Sequence, residues 1–314
     1  MKPTVLLTKR IPSTVLARLE ESCDVDLNDG EADLTPAQLL ERVRGKQGLI
    51  AVLTNAVTRQ VLEAATELKV VANIAVGYNN IDVAAARERG VIVTNTPDVL
   101  TESSADLTWA LILGITRRIV EGDRLVRAGQ WKGWALDFML GTELGGKQLG
   151  IIGFGRIGQA VAARASVFGM RVAYMSRSPQ NAPNAEAMPL DRLLTTSDVL
   201  SLHCPLTAET RHLIDQKAFA RMKRSAYLIN TSRGPVVDEA ALAWALKNRV
   251  IAGAALDVYE DEPTVHSDLL TLENVVLAPH LGSATTETRT AMADLAVRNA
   301  IAVLTGGAPI TPVG

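Results

Sequence analysis

The sequence has few of the features that mark disulfide-linked, metal-binding, membrane or nucleic-acid-binding proteins. It has two cysteines, Cys23 and Cys204, without the spacing of a metal site, so neither a metal site nor a structural disulfide is predicted. The net charge is −2, which gives no reason to expect nucleic acid or a membrane surface as a partner. The longest apolar stretch, residues 107–115, is interrupted by Thr108 and is too short to span a bilayer. Because the N-terminus also lacks the apolar core of a signal peptide, we expect a cytoplasmic protein.

What the chain does have is a repeated alternation of strand and helix signals. Its 314 residues, 47% hydrophobic and 21% charged, suffice for two domains of ordinary size. In the first hundred residues, helical patterns separate short apolar runs that predict strands at 4–8, 23–27, 48–53, 69–76 and 91–95. Such alternation predicts a doubly wound parallel sheet.

The rest of the chain continues this pattern after one long helix, predicted over 100–129. Strands are then expected near 149–153, 172–175, 199–203, 227–231, 253–258 and 275–278, and a last helix over 286–304 is expected to pack on the first domain. The predicted fold class is α/β, with two doubly wound parallel-sheet lobes and a cleft between them. Residues 1–100 plus 285–314 should form a discontinuous, flavodoxin-like substrate domain, and 101–284 a Rossmann-type dinucleotide-binding domain.

The most informative stretch is a glycine-rich turn between a predicted strand and a helix. Gly153, Gly155 and Gly158 form the pattern G-x-G-x-x-G, and a second strand follows at 172–175. In a dinucleotide site the first glycine permits the tight turn, the second lets backbone approach the pyrophosphate, and the third lets helix and strand pack closely. The pattern alone also occurs for packing reasons, and it is the βαβ context that favours a dinucleotide.

The residues after that second strand bear on the choice of cofactor. An NAD site usually has Asp or Glu there, about 20 residues past the first glycine, to bind the ribose 2′-hydroxyl. This chain has Ser176, Arg177 and Ser178 instead. An arginine and two hydroxyls suit a 2′-phosphate, since charge-assisted hydrogen bonds contribute roughly 1.5–3 kcal/mol each. NADPH is therefore the predicted cofactor, with NAD as the alternative; a solvated turn arginine is the competing interpretation.

Three polar residues follow later strands, at the edge where a doubly wound sheet presents its ligand site. They are Arg233, Glu262 and His280. Each has an ordinary structural explanation by itself, as a loop cation, a solvated acid or a core histidine. Because all three belong to the domain with the glycine loop, we interpret them together as a candidate active site.

The chain resembles the D-2-hydroxyacid dehydrogenase family almost from end to end. Besides the glycine loop, the motifs that carry the resemblance are V-G-Y-N-N-I-D at 76–82, H-C-P-L-T at 203–207, N-T-S-R-G at 230–234, D-V-Y-E-D-E-P at 257–263 and P-H-L-G-S at 279–283. Within the family, the chain is most similar to the glyoxylate/hydroxypyruvate reductases, because of W-K-G-W at 131–134 and Ser-Arg-Ser at 176–178. The related 2-ketogluconate reductases stay open as an alternative.

The resemblance implies reduction of a small 2-oxo acid, glyoxylate or hydroxypyruvate, to the D-2-hydroxy acid. Arg233 would grip the carboxylate and carbonyl oxygens and polarise the carbonyl. His280 would give a proton to the forming alkoxide, and Glu262 would hold His280 by a hydrogen bond. Backbone N–H groups of Val76 and Gly77 would receive the substrate carboxylate.

Further binding residues are implied by the same resemblance. Additional substrate contacts are expected from Leu53 and from Trp134, which would reach the pocket of a partner subunit. Cofactor contacts are expected from Gly153, Gly155, Arg156, Ile157, Gly158, Ser176, Arg177, Ser178, Cys204, Pro205, Thr231, Ser232, Asp257, His280, Gly282 and Ser104. Asp257 would contact the nicotinamide carboxamide. Ser104 lies in Ser-Ala-Asp where the family often has Thr-Ala-Glu, which weakens only its own contact.

The sequence also bears on assembly, on the remaining histidines and on alternative functions. The long helix and the apolar segment around Trp134, Leu136, Phe138, Met139 and Leu140 predict a symmetric homodimer formed through the central domains, the alternative being that these residues fill their own lobe. His203 is expected to cap a strand, and His212 and His266 to lie at the surface. Other 2-hydroxyacid dehydrogenases, such as phosphoglycerate or formate dehydrogenases, are the alternative enzymes. A transcriptional corepressor on this fold is the alternative outside enzymes, and the complete set of Arg233, Glu262 and His280 argues against it.

Overall fold

The structure is a computed structural model that describes residues 1–178, 180 and 182–313. The chain forms two compact units. We call Met1–Leu100 with Thr285–Gly314 the discontinuous unit, and Thr101–Ala284 the continuous unit. The prediction of two doubly wound, parallel α/β lobes is confirmed by the strand orders of the two units.

The discontinuous unit contains a five-stranded parallel sheet. Its strands are β1 (Thr4–Leu7), β2 (Asp24–Leu27), β3 (Gly48–Ala51), β4 (Val70–Asn73) and β5 (Ile92–Thr94), and its first helices are α1 (Ser13–Ser22), α2 (Pro36–Arg42), α3 (Arg59–Ala64) and α4 (Val83–Glu88). The strand order is β2-β1-β3-β4-β5, which is the flavodoxin-like order.

Local sequence explains where these helices begin. Thr35 accepts a hydrogen bond from the Gln38 N–H in a capping box, and Pro36 occupies the first helical position. The side chains of Thr58 and Asp82 cap the next two helices in the same way. Each cap satisfies an N–H group that the helix cannot bond internally, so these starts follow from the residue types.

The continuous unit contains a seven-stranded parallel sheet. Its elements are α5 (Thr101–Thr116), α6 (Ile119–Arg127), β6 (Gln148–Ile152), α7 (Arg156–Ala165), β7 (Arg171–Met175), β8 (Ala185–Ala187), α8 (Leu190–Thr196), β9 (Val199–Leu202), α9 (Gln216–Arg221), β10 (Tyr227–Asn230), α10 (Glu239–Lys247), β11 (Gly253–Leu256) and β12 (Val275–Leu277). The strand order is β12-β11-β10-β9-β6-β7-β8. Counted from β6, this is the Rossmann order with one further strand, and the order reverses between β6 and β9.

The last helix, α11 (Thr286–Leu304), returns the chain to the discontinuous unit. Its small apolar residues Ala293, Ala296 and Ala300 are buried against strand residues of that unit, among them Val5 and Ile50. Small side chains let the helix lie close to the sheet. The predicted packing of residues 286–304 on the first domain is therefore confirmed.

The prediction of one helix over 100–129 is wrong, because the helix breaks between α5 and α6. Arg118 adopts a left-handed backbone conformation with φ +54°. The carbonyl of Thr116, which would accept a helical hydrogen bond, instead accepts the Thr142 N–H at 2.8 Å. The returning chain therefore takes the bond that would have continued the helix.

The central strands of the continuous unit can present side chains to a ligand only at their ends. All residues of β6, β9 and β11 are buried, as expected for a parallel sheet with helices on both faces. Functional side chains therefore have to lie on the loops that follow the strands. Among the described residues, we find no helix with the length and hydropathy needed to span a bilayer.

Candidate active site

Two glycines of the loop after β6 are required by the packing of the chain itself. Gly153 has φ +92°, and a Cβ there would lie 2.5 Å from the backbone nitrogen of Cys204. A Cβ at Gly158 would lie 2.3 Å from the carbonyl oxygen of Gly153. Both positions bring backbone segments together more closely than any side chain allows, so their glycines do not by themselves indicate a ligand.

Gly155 differs from these two glycines. Apart from its two chain neighbours, no described residue has an atom within 4 Å of a Cβ built at Gly155, so internal packing does not explain the missing side chain. Gly155 is also the N-cap of α7, and no side chain caps that helix end. Arg156, Ile157 and Gly158 form its first turn, whose N–H groups and positive dipole end suit a phosphate. The loop therefore fits a dinucleotide pyrophosphate.

Ser176, Arg177 and Ser178, which we call the cofactor tip, directly follow β7. Ser176 is half-buried, while Arg177 and Ser178 are exposed. A hydrogen bond from Thr207 and, more weakly, the charge of Arg177 lower the pKa of the exposed Glu209. The three residues themselves include no carboxylate. The carboxylate of Glu209 nevertheless lies within electrostatic reach of Arg177.

His280 and Glu262 form the central polar pair of the continuous unit. The Nδ1 atom of His280 lies 2.8 Å from Oε2 of Glu262, and Oε1 of Glu262 accepts the Tyr259 N–H at 3.1 Å. Burial alone would raise the pKa of Glu262, but the hydrogen bond and charge of His280 and the Tyr259 N–H lower it below its ordinary value. The ionised carboxylate thus holds the His280 ring through Nδ1, and Nε2 takes no part in the contact with Glu262.

The turn that carries His280 is held by Asp257, the residue after β11. His280 has φ +52°, in the left-handed region that costs a non-glycine residue roughly 1–2 kcal/mol. The carbonyl of Asp257 accepts the His280 N–H at 3.0 Å, and its carboxylate accepts the N–H groups of Leu281 at 2.6 Å and Gly282 at 2.8 Å. Burial raises the pKa of Asp257, although these N–H groups act in the opposite direction. Three hydrogen bonds that Asp257 accepts therefore stabilise the strained position of the histidine.

Arg233 lies on the turn after β10, which Asn230 organises. The Asn230 side chain accepts from the Ser232 N–H at 3.1 Å and from its hydroxyl at 2.8 Å, and donates to the Arg233 carbonyl at 3.0 Å. Burial lowers the pKa of Arg233, and the charge of Glu262 offsets this in part; an arginine stays protonated all the same. A Cβ at Gly234 would meet the Tyr259 backbone at 1.8 Å. The loops of Arg233 and Glu262 are therefore in backbone contact.

Several other predicted cofactor residues of the continuous unit contact one another or lie after its strands. The hydroxyl of Ser104, at the start of α5, donates to the Gly282 carbonyl at 3.2 Å. The Thr231 hydroxyl lies 3.0 Å from that of Thr108. After β9, Cys204 is buried, and burial raises the pKa of its thiol to about 11, while Pro205 is exposed. Cys204 is therefore a neutral packing residue at neutral pH.

In the discontinuous unit, the predicted substrate residues lie on two loops. Leu53 is half-buried in the turn after β3, and Val76 and Gly77 are half-buried after β4. Two asparagines that sequence reasoning missed hold the second loop: Asn95 donates to the Val76 carbonyl at 2.8 Å, and Asn73 donates to the Gly77 carbonyl at 2.9 Å. Asn95 lies 19 residues from Val76, so no local pattern signals that contact, whereas Asn73 is only four residues from Gly77.

The remaining histidines have structural surroundings. The His203 ring bonds the Ser201 hydroxyl at 2.8 Å, and burial lowers its pKa to about 3, so the ring is neutral. His212 is partly exposed and lies 2.5 Å from Oε1 of Glu260. His266 is half-buried, with its backbone N–H donating to the buried Glu239 carboxylate at 3.3 Å and its Nδ1 enclosed. In the described part of the chain, no three His, Cys, Asp or Glu side chains are arranged to hold a metal ion.

The segment 131–140 is the most apolar exposed stretch of the continuous unit. Trp134 is 81% exposed and Leu136 82%. Trp131, Phe138 and Leu140 are exposed as well, and the preceding helix α6 has no buried residue. These side chains therefore do not fill the core of their own unit.

Comparison with known proteins identifies the family to which this geometry belongs. The NAD-binding domain of the D-isomer-specific 2-hydroxyacid dehydrogenases matches residues 109–282. The chain belongs to this family. A glyoxylate reductase of Thermococcus onnurineus is 47% identical over 100% of this chain and 96% of its own length. One of Korarchaeum cryptofilum is 49% identical over 98% and 95%.

Solved structures also resemble this chain over nearly its whole length. A Thermus thermophilus protein has a TM-score of 0.94 with 46% identity and covers 99% of this chain and 100% of its own. The NADPH-dependent glyoxylate/hydroxypyruvate reductase of Sinorhizobium meliloti, solved with NADP and malonate, has a TM-score of 0.89 with 36% identity and covers 100% and 97%. The protein is thus an NAD(P)-dependent oxidoreductase, as the sequence predicted.

Proposed function

We propose that the protein reduces glyoxylate or hydroxypyruvate to the D-2-hydroxy acid, with NADPH as the preferred cofactor and His280 as the proton donor. The observation that carries the proposal is the 2.8 Å contact between His280 and Glu262. The loop of Glu262 is also in backbone contact with the loop of Arg233. A general acid, the group that orients it and a cation for the substrate are the parts that carbonyl reduction needs.

His280 and Arg233 divide the work at the carbonyl. When bound, the nicotinamide cofactor supplies the hydride. Arg233 binds the carboxylate and carbonyl oxygens through its planar fork and stabilises the negative charge that develops on oxygen. His280 donates its Nε2 proton to that oxygen, because Glu262 already engages Nδ1. Glu262 keeps the ring in this orientation throughout.

The cofactor is held by three groups of residues in the continuous unit. Gly153, Gly155, Arg156, Ile157 and Gly158 bind the pyrophosphate, Ser176, Arg177 and Ser178 bind the adenosine phosphate, and Ser104, Cys204, Pro205, Thr231, Ser232, Asp257, His280 and Gly282 line the remainder. The open space at Gly155 supports the first group. The exposed cation Arg177 in place of an acid supports NADPH over NADH. A relative described as NADPH-dependent adds to this support.

Substrate recognition in the discontinuous unit is assigned to backbone. The N–H groups of Val76 and Gly77 bind the substrate carboxylate, and Leu53 contributes an apolar contact. Backbone N–H groups recognise carboxylates without a mobile side chain, so little conformational entropy is lost on binding.

The protein acts as a symmetric homodimer in this proposal. The exposed segment 131–140 and the unburied helix α6 supply the apolar surface that such an interface covers. Trp134 then contacts the substrate pocket of the partner subunit. Sedimentation at micromolar concentration tests the assembly, and a monomeric mass would exclude it.

Steady-state kinetics tests the activity. Glyoxylate, hydroxypyruvate, pyruvate and 2-ketogluconate are each assayed with NADPH and with NADH. We expect the highest kcat/KM for glyoxylate or hydroxypyruvate with NADPH. Higher efficiency with 2-ketogluconate would transfer the assignment to that alternative, and no turnover of any 2-oxo acid with either cofactor would reject the proposed function.

A further inference from the structure

Three successive peptide groups in the loop after β4 have their carbonyl oxygens occupied. The Ala75 carbonyl accepts the Thr96 N–H at 2.9 Å, the Val76 carbonyl accepts from Asn95 at 2.8 Å, and the Gly77 carbonyl accepts from Asn73 at 2.9 Å. Two of these three donors are side chains, that of Asn73 at the end of β4 and that of Asn95 just after β5. The contacts from Asn95 and Thr96 mean that the loop is oriented by the residues after β5 as well as by its own strand.

Occupied carbonyls also determine where the N–H groups of this loop point. In a planar trans peptide the C=O bond and the following N–H bond point in opposite directions. The amide of Asn95, by holding the Val76 carbonyl, therefore sets the direction of the Gly77 N–H, and Asn73 does the same for Tyr78. Within the described residues of the discontinuous unit, the N–H groups of Val76, Gly77 and Tyr78 have no acceptor. Successive N–H groups of this kind bind anions.

Asn95 is itself fixed by the C-terminal segment of the chain. The Thr311 hydroxyl donates to the Asn95 carbonyl at 2.6 Å. Thr311 is in turn held by Asn299 of α11, whose side chain accepts the Thr311 N–H at 3.0 Å and donates to its hydroxyl at 2.9 Å. Asn299 has no exposed surface. A series of hydrogen bonds thus runs from the core to the Val76 carbonyl.

Asn73 has a second connection, to the turn that carries Leu53. Its side chain lies 3.3 Å from that of Asn80, and Asn80 donates to the carbonyls of Val52 at 3.3 Å and Asn55 at 3.1 Å. Asn73 is the last residue of β4 and is fully buried. The two loops assigned to the substrate are therefore joined through one asparagine pair.

We propose that Asn95, supported by Thr311, and Asn73 are positioning residues for recognition of the substrate carboxylate. They bond the carbonyl side of the Val76–Gly77 and Gly77–Tyr78 peptides and so direct the N–H side at the substrate. The inference rests on the proposed function and deepens it. A purely structural role would stabilise the unit without any selective effect on substrate affinity.

The test compares Asn95→Ala with the wild-type protein under steady-state conditions. We expect KM for glyoxylate to rise about tenfold while kcat stays within about twofold, because a carboxylate contact made equally in the ground and transition states affects KM alone. The inhibition constant of oxamate, which carries the same carboxylate beside an unreactive amide, should rise by the same factor. NADPH affinity should not change.

Two further variants make the test specific. Thr311→Val removes only the hydroxyl that holds Asn95 and should raise KM by about two- to threefold, so it reports on the same series of bonds with less risk to folding. Asn28→Ala is the matched control, because Asn28 also donates to two backbone carbonyls of this unit, those of Thr8 and Ala32, each at 3.1 Å. Its KM should equal that of wild type.

The outcomes separate this inference from the function on which it rests. A wild-type protein that reduces no 2-oxo acid would reject the proposed function. An active wild type combined with unchanged KM and oxamate inhibition in both Asn95→Ala and Thr311→Val would reject the positioning role. An equal KM increase in Asn28→Ala would also reject it, since the effect would then follow from general destabilisation.

Discussion

Replacing Glu262 by glutamine should slow the reduction by an amount that follows from its two contacts. The two carboxylate oxygens serve different partners, His280 at 2.8 Å and the Tyr259 N–H at 3.1 Å. Glutamine has a single acceptor oxygen and an NH₂ group. If the oxygen faces Tyr259, the NH₂ faces the histidine; if the oxygen faces the histidine, the NH₂ opposes the Tyr259 N–H. Either orientation loses one partner.

That loss sets the expected magnitude. A hydrogen bond to a charged group contributes about 1.5–3 kcal/mol, which corresponds to roughly 10- to 150-fold in kcat/KM. We expect Glu262→Gln to reduce kcat/KM for glyoxylate with NADPH by a factor in this range. The reaction is monitored by the loss of NADPH absorbance. The dissociation constant of NADPH should stay unchanged, because the contacts assigned to the pyrophosphate lie on the glycine loop.

Glu260 provides the matched control, two residues away on the same loop. Its oxygens also serve two partners, His212 at 2.5 Å and the Glu239 N–H at 3.2 Å, but neither is His280. Glu260→Gln should therefore keep kcat/KM within about threefold of wild type. The reasoning is refuted if the two variants are equally slow, or if Glu262→Gln retains more than half of the wild-type rate.

Three further predictions concern the cofactor tip, the proton donor and stability. Arg177→Ala should weaken NADPH binding at least tenfold, about 1.4 kcal/mol, and leave NADH binding unchanged in a fluorescence titration; a tenfold preference of the wild type for NADH would contradict this assignment. His280→Ala should lower kcat by roughly 10²–10⁴ without changing NADPH affinity, and near-normal turnover would mean that another group supplies the proton. Burial alone would raise the pKa of Asp198, but hydrogen bonds from Lys223 and the Gln148 N–H, each at 2.8 Å, lower it. This stabilisation is present above the pKa of Asp198 in the unfolded chain and is lost as the pH falls through its pKa in the folded protein. In denaturant titrations, Asp198→Asn should therefore lower the free energy of unfolding by about 1–3 kcal/mol at pH 7. The difference from wild type should shrink below about pH 4.

Sequence patterns predicted the strands because a buried parallel strand is a short apolar run bounded by turn residues. They missed β8, which has three residues and is mostly exposed, so it has no apolar run to detect. They also missed the break at Arg118, because neither glycine nor proline marks it. The break arises from a contact between Thr116 and Thr142, and a contact between distant residues leaves no trace in a local pattern.

The candidate site shows the same division between local and distant information. Arg233, Glu262 and His280 could be proposed from their places after strands, since strand ends of one parallel sheet meet at a common edge. The groups that hold them could not. Asp257 was expected at the cofactor, and the structure shows its carboxylate bonded to two N–H groups of the His280 turn. Asn95 bonds a carbonyl 19 residues away, a distance at which residue type alone carries no geometric signal.

The division of the discontinuous unit between the two ends of the chain has a consequence for how the protein is made. Its β-strands leave the ribosome first, but α11, which covers residues such as Val5 and Ile50, is made after the whole continuous unit. At about 5–20 residues per second, these apolar strand faces wait roughly 10–60 s for their last helix. The continuous unit has all of its elements in one stretch and is free to fold during that interval. The portion synthesised first is thus completed last, and during this window the nascent chain most needs protection from aggregation.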